Sequence, residues 1–383
     1  MKAQVKGMII MKKIKVMSVF GTRPEAIKMA PLVKSLEKDS RFESIVCVTA
    51  QHREMLDSVL EIFDIEPQYD LDIMAHGQTI IDISNKVISG IDKVIKEVKP
   101  DIVLVHGDTS TTFNGALAAF YNKVTIGHIE AGLRSYDLYS PFPEEANRKL
   151  TGVITNLHFS PTNTNKENLL REGVSEEKIY VTGNTVIDAL LSVIDDEYKF
   201  EQDVLNTIDF KNKKVVLLTT HRRENWGKPM ENIFEAMIKL IQEDNSVEVI
   251  FPMHKNPSIR ELAHKYFDRH KERIHLIESL EYVEFTNLMN KVYLIMTDSG
   301  GIQEEAPALG KPVMVLRTET ERPEAVKAGT VKLAGIDKGD IFNIANELIN
   351  NENLYKKMAQ AINPYGDGKA CSRIIDIIAE NLN

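Results

Sequence analysis

Short apolar runs separated by helical patterns recur along the whole chain, and they leave few folds open to it. In the first half the runs are IKVMSVF, SIVCVTA, DIVLVHG, VTIGHI, LHFS and KIYVTG. After residue 210 come KVVLLTT, VEVIFPM, RIHLIE, VYLIMTD and PVMVL. Most are continuous, without the in-out alternation of a half-exposed strand, as expected when helices cover both faces of a parallel sheet. Between them lie amphipathic stretches such as EAIKMAPLVKSLEKD, TIIDISNKVISGIDKVIKEV and MENIFEAMIKLIQED. Alternation of this kind predicts a doubly wound α/β architecture.

The series occurs twice. The first ends near residue 185; residues 186–212 are helical and then polar, and a second series begins at Lys213. A chain of 383 residues is long for one core and sufficient for two. The expected organisation is two Rossmann-like domains, residues 1–185 and 186–365, facing each other across a cleft. A terminal helix at about 366–383 is expected to pack back on the first. Ligands of such sheets bind beyond the carboxyl ends of the strands.

Composition narrows the function. Net charge is −9, so a general nucleic-acid surface is not expected, and an anionic ligand needs basic groups gathered locally. Cys47 and Cys371 are expected to be reduced and structural, which fits a cytoplasmic protein without a disulfide framework. No Cys/His spacing suggests zinc. Lysines interrupt the apolar start and GTRPE follows it, so it does not read as a signal peptide. No run of ~18 apolar residues predicts a membrane span.

The chemistry-bearing residues follow strands. After IKVMSVF, Gly21 permits a tight turn and Pro24 suits a first helical turn, with Arg23 and Lys28 near a helix start that favours anions. Neither GxxxxGK[ST] nor GxGxxG is present. After DIVLVHG, Asp108 is either the cap of the next helix or a site carboxylate. After VTIGHI come Glu130 and then AGLRSYDLYSPFPEEANRK, where Glu144 and Glu145 are expected to open a helix behind Pro143. That segment reads either as surface ion pairs or as carboxylates held to move protons. After KVVLLTT, His221, Arg222 and Arg223 suit a phosphate oxygen. After VYLIMTD, Ser299, Gly300 and Gly301 begin a glycine-rich helix start, with Glu304 and Glu305 a turn later as acceptors for ribose or sugar hydroxyls. Arg322-Pro323-Glu324 repeats the tripeptide of residues 23–25.

Together these stretches resemble the non-hydrolysing UDP-N-acetylglucosamine 2-epimerases. The likeness runs from residue 14 to 376 and rests on FGTRPEAIKMAPL, TAQHREML, VLVHGDT, HIEAGLRS, SPFPEEANR, VTGNTVIDAL, HRREN, TDSGGIQEEAP, ERPEAV and NPYGDG. It implies a fold like that of the GT-B glycosyltransferases, a homodimer, and reversible conversion of UDP-GlcNAc to UDP-ManNAc with no added cofactor or required metal. It also implies a route in which UDP is eliminated to a 2-acetamidoglucal and adds back after protonation on the opposite face. Carried across by motif, Asp108, Glu130 and Glu144 are the acid/base carboxylates, with the direction of each open, and His221 stabilises the leaving UDP. Arg23 and Lys28 are expected at the diphosphate or sugar, Ser299 and Gly300 at the phosphates, Glu305 at the ribose, Arg322 near the nucleotide and Phe285 by the uracil. Arg134 and Arg148 are expected to orient the acids or bind nearby groups, whereas Asp137 and Glu145 read as ordinary loop charges.

Gln51, His52, Arg53 and Arg222 match the region where some family members bind an activating second UDP-GlcNAc. Gly77 stands where some activated members carry arginine, which argues against activation. The competing readings are an epimerase for a UDP-linked diacetamido uronic acid, a glycosyltransferase of the same fold, and a non-catalytic nucleotide-sugar sensor.

Overall fold

The apolar runs pair as two parallel sheets in a computed structural model that describes residues 12–50 and 53–382. The first sheet contains β1 (Ile14–Phe20), β2 (Phe42–Val48), β3 (Tyr69–Asp70), β4 (Ile102–His106), β5 (Thr125–Ile129), β6 (Leu157–Ser160) and β7 (Ile179–Val181). Their order across the sheet is β3-β2-β1-β4-β5-β6-β7. The second contains β8 (Lys214–Thr219), β9 (Val247–Pro252), β10 (Ile274–Ile277), β11 (Leu294–Thr297), β12 (Val313–Val315) and β13 (Val331–Leu333), in the order β10-β9-β8-β11-β12-β13. Each order reverses once, between β1 and β4 and between β8 and β11. At such a switch point the loops leaving adjacent strands diverge to opposite faces and open a crevice at the carboxyl ends.

All eleven apolar runs form strands. The two strands the runs do not announce, β3 and β13, are edge strands of two and three residues. YD and VKL have too little apolar length to signal themselves; pairing of Cys47 with Tyr69 and of Val313 with Val331 defines them. The inner strands β1, β5, β8 and β11 are buried along nearly their whole length, and β4 is buried throughout.

Helix signals act locally. The helix Ile80–Val98 starts at Thr79, whose hydroxyl accepts the Asp82 N–H at 3.2 Å while the Asp82 carboxylate accepts the Thr79 N–H at 2.9 Å. Its buried stripe, Ile83, Val87, Ile91, Val94 and Ile95, packs on Met17, Val19, Val103 and Val105. Burying one such side chain contributes roughly 1.5–3 kcal/mol. In the second sheet the helix Lys228–Glu243 sets Phe234 and Met237 against Val216, Val249 and Phe251.

The chain divides into two compact units. The first runs to Ala189 and takes back the chain from Gly368; the second is Leu190–Asp367. The returning helix Ala370–Leu382 packs on the helix Arg23–Lys38 through a face containing Cys371, Ile374 and Ile378. Asp188 holds its start, accepting the backbone N–H of Cys371 at 2.9 Å and of Ala370 at 3.2 Å. Both cysteines are free and buried. Among the described residues no helix is long and apolar enough to cross a membrane.

Candidate active site

In the first unit the predicted carboxylates gather around the β1/β4 switch point. β4 delivers His106, Gly107 and Asp108, and Gly107 turns the chain with φ +68°. The cap of the following helix, Ser110–Tyr121, is Thr109, whose hydroxyl accepts the Thr112 N–H at 3.1 Å. Asp108 is therefore free of capping duty. Its Oδ2 lies 2.5 Å from Nη2 of Arg148, and its own carbonyl accepts a hydrogen bond from Asn147 Nδ2 at 2.9 Å. Burial pushes the Asp108 carboxyl above the usual range, Arg148 pulls it down, and neighbouring Glu130 pushes it up again.

Glu130 directly follows β5 in the left-handed region, φ +63°. That conformation is uncommon for a residue with a side chain and persists only where surroundings enforce it. Here Lys28 forms an ion pair with Glu130 Oε2, and Asn184 Nδ2 donates to the same oxygen at 3.1 Å. His106 Nε2 stands 3.8 Å away. Burial drives the His106 ring down to about 3, so it stays neutral beside the carboxylate.

Glu144 begins the helix Glu144–Ile154 behind Pro143, as expected. Its Oε2 is buried and has no hydrogen-bond partner among the described residues. Arg148 is one turn further on, so Glu144 shares the face that reaches Asp108. Glu145 corrects its reading as an ordinary loop charge. It is wholly buried and accepts the backbone N–H groups of Ser135 at 3.0 Å and Tyr136 at 3.1 Å. Its Oε2 also lies 3.3 Å from Arg148 Nη1, so one guanidinium spans Glu145 and Asp108. The carboxylate of the exposed Asp137 accepts the Tyr139 N–H at 2.9 Å.

Other predicted residues have different surroundings. The Arg134 side chain is fully buried and grips Glu172 at 2.9 and 2.7 Å. Arg53 is held by Asp70 at 2.7 Å and Asp72 at 3.0 Å. Arg23 opens its helix beside Pro24. Gln51 and His52 lie outside the described residues. Gly21 serves a purpose other than a left-handed turn: a Cβ there would stand 1.8 Å from Thr49 Oγ1.

Glu25, which motif reading passed over, links two strand-end turns. One oxygen accepts the N–H groups of Gly21 at 3.1 Å and Thr22 at 2.8 Å. The other accepts the hydroxyls of Thr109 at 2.7 Å and Thr112 at 3.1 Å. The RPE tripeptide carried this residue, but sequence alone could not show that its partners come from another turn.

The second unit has its own cluster at the β8/β11 switch point. His221 and Arg222 leave β8; Asp298, Ser299 and Gly300 leave β11. Arg222 Nε donates to the Asp298 carbonyl at 3.0 Å, and a Cβ on Gly300 would stand 3.8 Å from Arg222 Nη2. A cavity of about 260 Å³ adjoins them, lined by Thr219, Thr220, His221, Met253, His254, Ser279, Leu280, Phe285, Ser299 and Ile302. The structure therefore brings together His221, Ser299 and Phe285, a mixed wall suited to a planar base and its phosphates. Arg322 forms an ion pair with buried Glu304, leaving Glu305 as the more exposed of the two neighbouring carboxylates. Among the described residues no group of three or more His, Cys, Asp or Glu is placed to hold a metal ion.

The chain as a whole is similar to known proteins. The sequence model of the family described as UDP-N-acetylglucosamine 2-epimerase matches residues 34–379. The chain is 55% identical over 366 residues to a UDP-N-acetylglucosamine 2-epimerase of Bacillus subtilis (strain 168), covering 96% of this chain and 95% of the relative. It is 52% identical over 373 residues to that of Escherichia coli (strain K12), covering 96% and 99%. The solved structure of UDP-GlcNAc 2-epimerase from Neisseria meningitidis bound to UDP-GlcNAc superposes with a TM-score of 0.89 at 48% identity, covering 96% of this chain and all (100%) of that one.

Proposed function

The chain belongs to the UDP-N-acetylglucosamine 2-epimerase family, and from that premise we propose how its residues divide the reaction. Its activity is C2 epimerisation of UDP-N-acetylglucosamine, giving UDP-N-acetylmannosamine. The observation that carries the reading is a pair of neighbouring strand-end carboxylates, Asp108 and Glu130, each held by its own cation, Arg148 and Lys28.

The C2 hydrogen of the sugar has no adjacent carbonyl to acidify it, so direct deprotonation is too costly. Elimination avoids the free carbanion. A base takes the C2 proton, the new double bond forms between C1 and C2, and the C1–O electron pair leaves with UDP. Delivery of a proton to the opposite face of C2, with UDP adding back at C1, completes inversion. One group must accept a proton and another supply one. Asp108, Glu130 and Glu144 provide this set. Burial lets Asp108 hold a proton nearer neutrality than an exposed aspartate does, and the Glu144 oxygen without a partner among the described residues is available to a sugar group. The departing diphosphate needs positive charge and donors. His221, Arg222, Ser299 and Gly300 supply these in the second unit, with Phe285 beside the uracil, Glu305 at the ribose and Arg322 near the nucleotide. Arg23 and Lys28 serve the sugar or diphosphate from the first unit.

The test is incubation with UDP-GlcNAc in D₂O, followed by NMR. Deuterium entering C2 as UDP-ManNAc appears supports the elimination route. Epimerisation without exchange, or free UDP released only with an acceptor, refutes it.

A homodimer and a cytoplasmic location complete the proposal. Exposed apolar residues on three packed helices support the dimer: Ile80 and Ile81, Phe120 and Tyr121, Leu150 and Val153, with Val153 83% exposed. The double substitution Leu150→Glu, Val153→Glu should convert dimers to monomers in sedimentation velocity; a monomeric parent protein would refute the assembly. The two free thiols support a reducing compartment.

A further inference from the structure

Asp298 stands at the carboxyl end of β11, beside the end of β8 from which His221 projects. It is wholly buried, and its two oxygens have separate surroundings. Oδ2 accepts four hydrogen bonds: from the Thr220 hydroxyl at 2.9 Å, the His221 N–H at 2.9 Å, the Arg222 N–H at 3.0 Å and Asn225 Nδ2 at 3.0 Å. Oδ1 has no hydrogen-bond partner among the described residues and lies 3.3 Å from Nδ1 of His221. One carboxylate thus accepts the backbone N–H of His221 and stands beside its ring. Among the described residues His254 stacks on the ring at 6.2 Å between centroids, Trp226 Nε1 donates to the His221 backbone carbonyl at 3.4 Å, and the adjacent cation is Arg222.

A carboxylate beside one imidazole nitrogen keeps a proton there and orients the other nitrogen outward. We propose that Asp298 is the positioning residue for His221, accepting its Nδ1–H so that the ring, when doubly protonated, presents Nε2–H to the substrate's diphosphate. The proposal rests on His221 facing UDP, as argued above. The motif TDSGG drew attention to its serine and glycines; only the folded sheet shows that the aspartate before them controls a residue from another strand.

The test uses the full chain with ¹⁵N-labelled histidine. In the parent protein the neutral His221 ring should be the Nδ1–H tautomer. Asp298→Asn is isosteric: its carbonyl can replace Oδ2 toward the four donors, which sets its NH₂ opposite His221 Nδ1. The ring should then switch to Nε2–H, and kcat should drop roughly tenfold or more with little change in KM. Asn225→Ala removes a donor from Oδ2 and from the Leu316 carbonyl but not from Oδ1, and should leave the His221 ring signature unchanged. An Nε2–H ring in the parent, or an unaltered ring in Asp298→Asn, overturns the proposal. If Asp298→Asn fails to fold, the parent tautomer and the Asn225→Ala ring decide it. If the ring switches but His221→Asn retains full turnover, positioning stands and the role given to His221 fails.

Discussion

At the scale of single residues, charge is placed more economically than the sequence suggests. Arg148 serves two carboxylates, one buried for structure and one at the candidate site. Glu130 occupies a left-handed conformation, while Lys28 and Asn184 fix the direction of its carboxylate. An aspartate beside an arginine is lowered by roughly 1–3 units relative to the same site without it. Arg148→Met should therefore move the ionisation of Asp108, already raised by burial, to higher pH. The pH dependence of kcat/KM reads this directly, and limbs that stay in place would show that Asp108 does not set either. Glu145 keeps its two backbone donors in that variant, so the loop is retained.

At the scale of elements, the turns after the strands are tied to one another rather than built singly. Glu25 joins the turn after β1 to the turn after β4, and every bond it accepts comes from those two segments. Gly21 is needed because Thr49 and Thr111 pack where its side chain would be, at 1.8 and 2.9 Å. Thr49 is buried, so it cannot swing aside cheaply. Gly21→Ala should cost about 1–3 kcal/mol, the usual range for overpacking. Urea unfolding gives the value, and an unchanged midpoint would mean the turn relaxes freely. The start of the helix Glu144–Ile154 was legible from Pro143 and the two glutamates. The choice of Thr109 over Asp108 as a cap was not, because both residue types cap well and only backbone direction separates them.

At the scale of the whole molecule, three buried histidines on adjacent strands link stability to pH. Burial lowers His106 and His158 to about 3 and His128 to about 4. In the unfolded chain each takes a proton near pH 6.5. As pH falls below that value the unfolded state binds protons that the folded state refuses, so stability is lost from about pH 6.5 down to about 4 for His128 and about 3 for His106 and His158, with a slope of about 1.4 kcal/mol per pH unit per histidine. Glu25, Asp108 and Asp188 act oppositely: burial raises them, and the stability from their retained protons is lost as pH rises through their folded values. The urea midpoint should fall from pH 7 to pH 5, and His158→Gln should flatten that fall; a level profile in the parent protein would contradict it. By itself the sequence determined the two α/β series, the strands that form them and the motifs at their carboxyl ends, because apolar periodicity and turn chemistry are local properties. Tertiary structure alone decided the edge strands β3 and β13, the burial of Glu145, the commitment of Arg134 to Glu172 and the roles of Glu25 and Asp298. A carboxylate's partners are set by which strand ends the sheet order makes neighbours, and that order is a long-range outcome of packing.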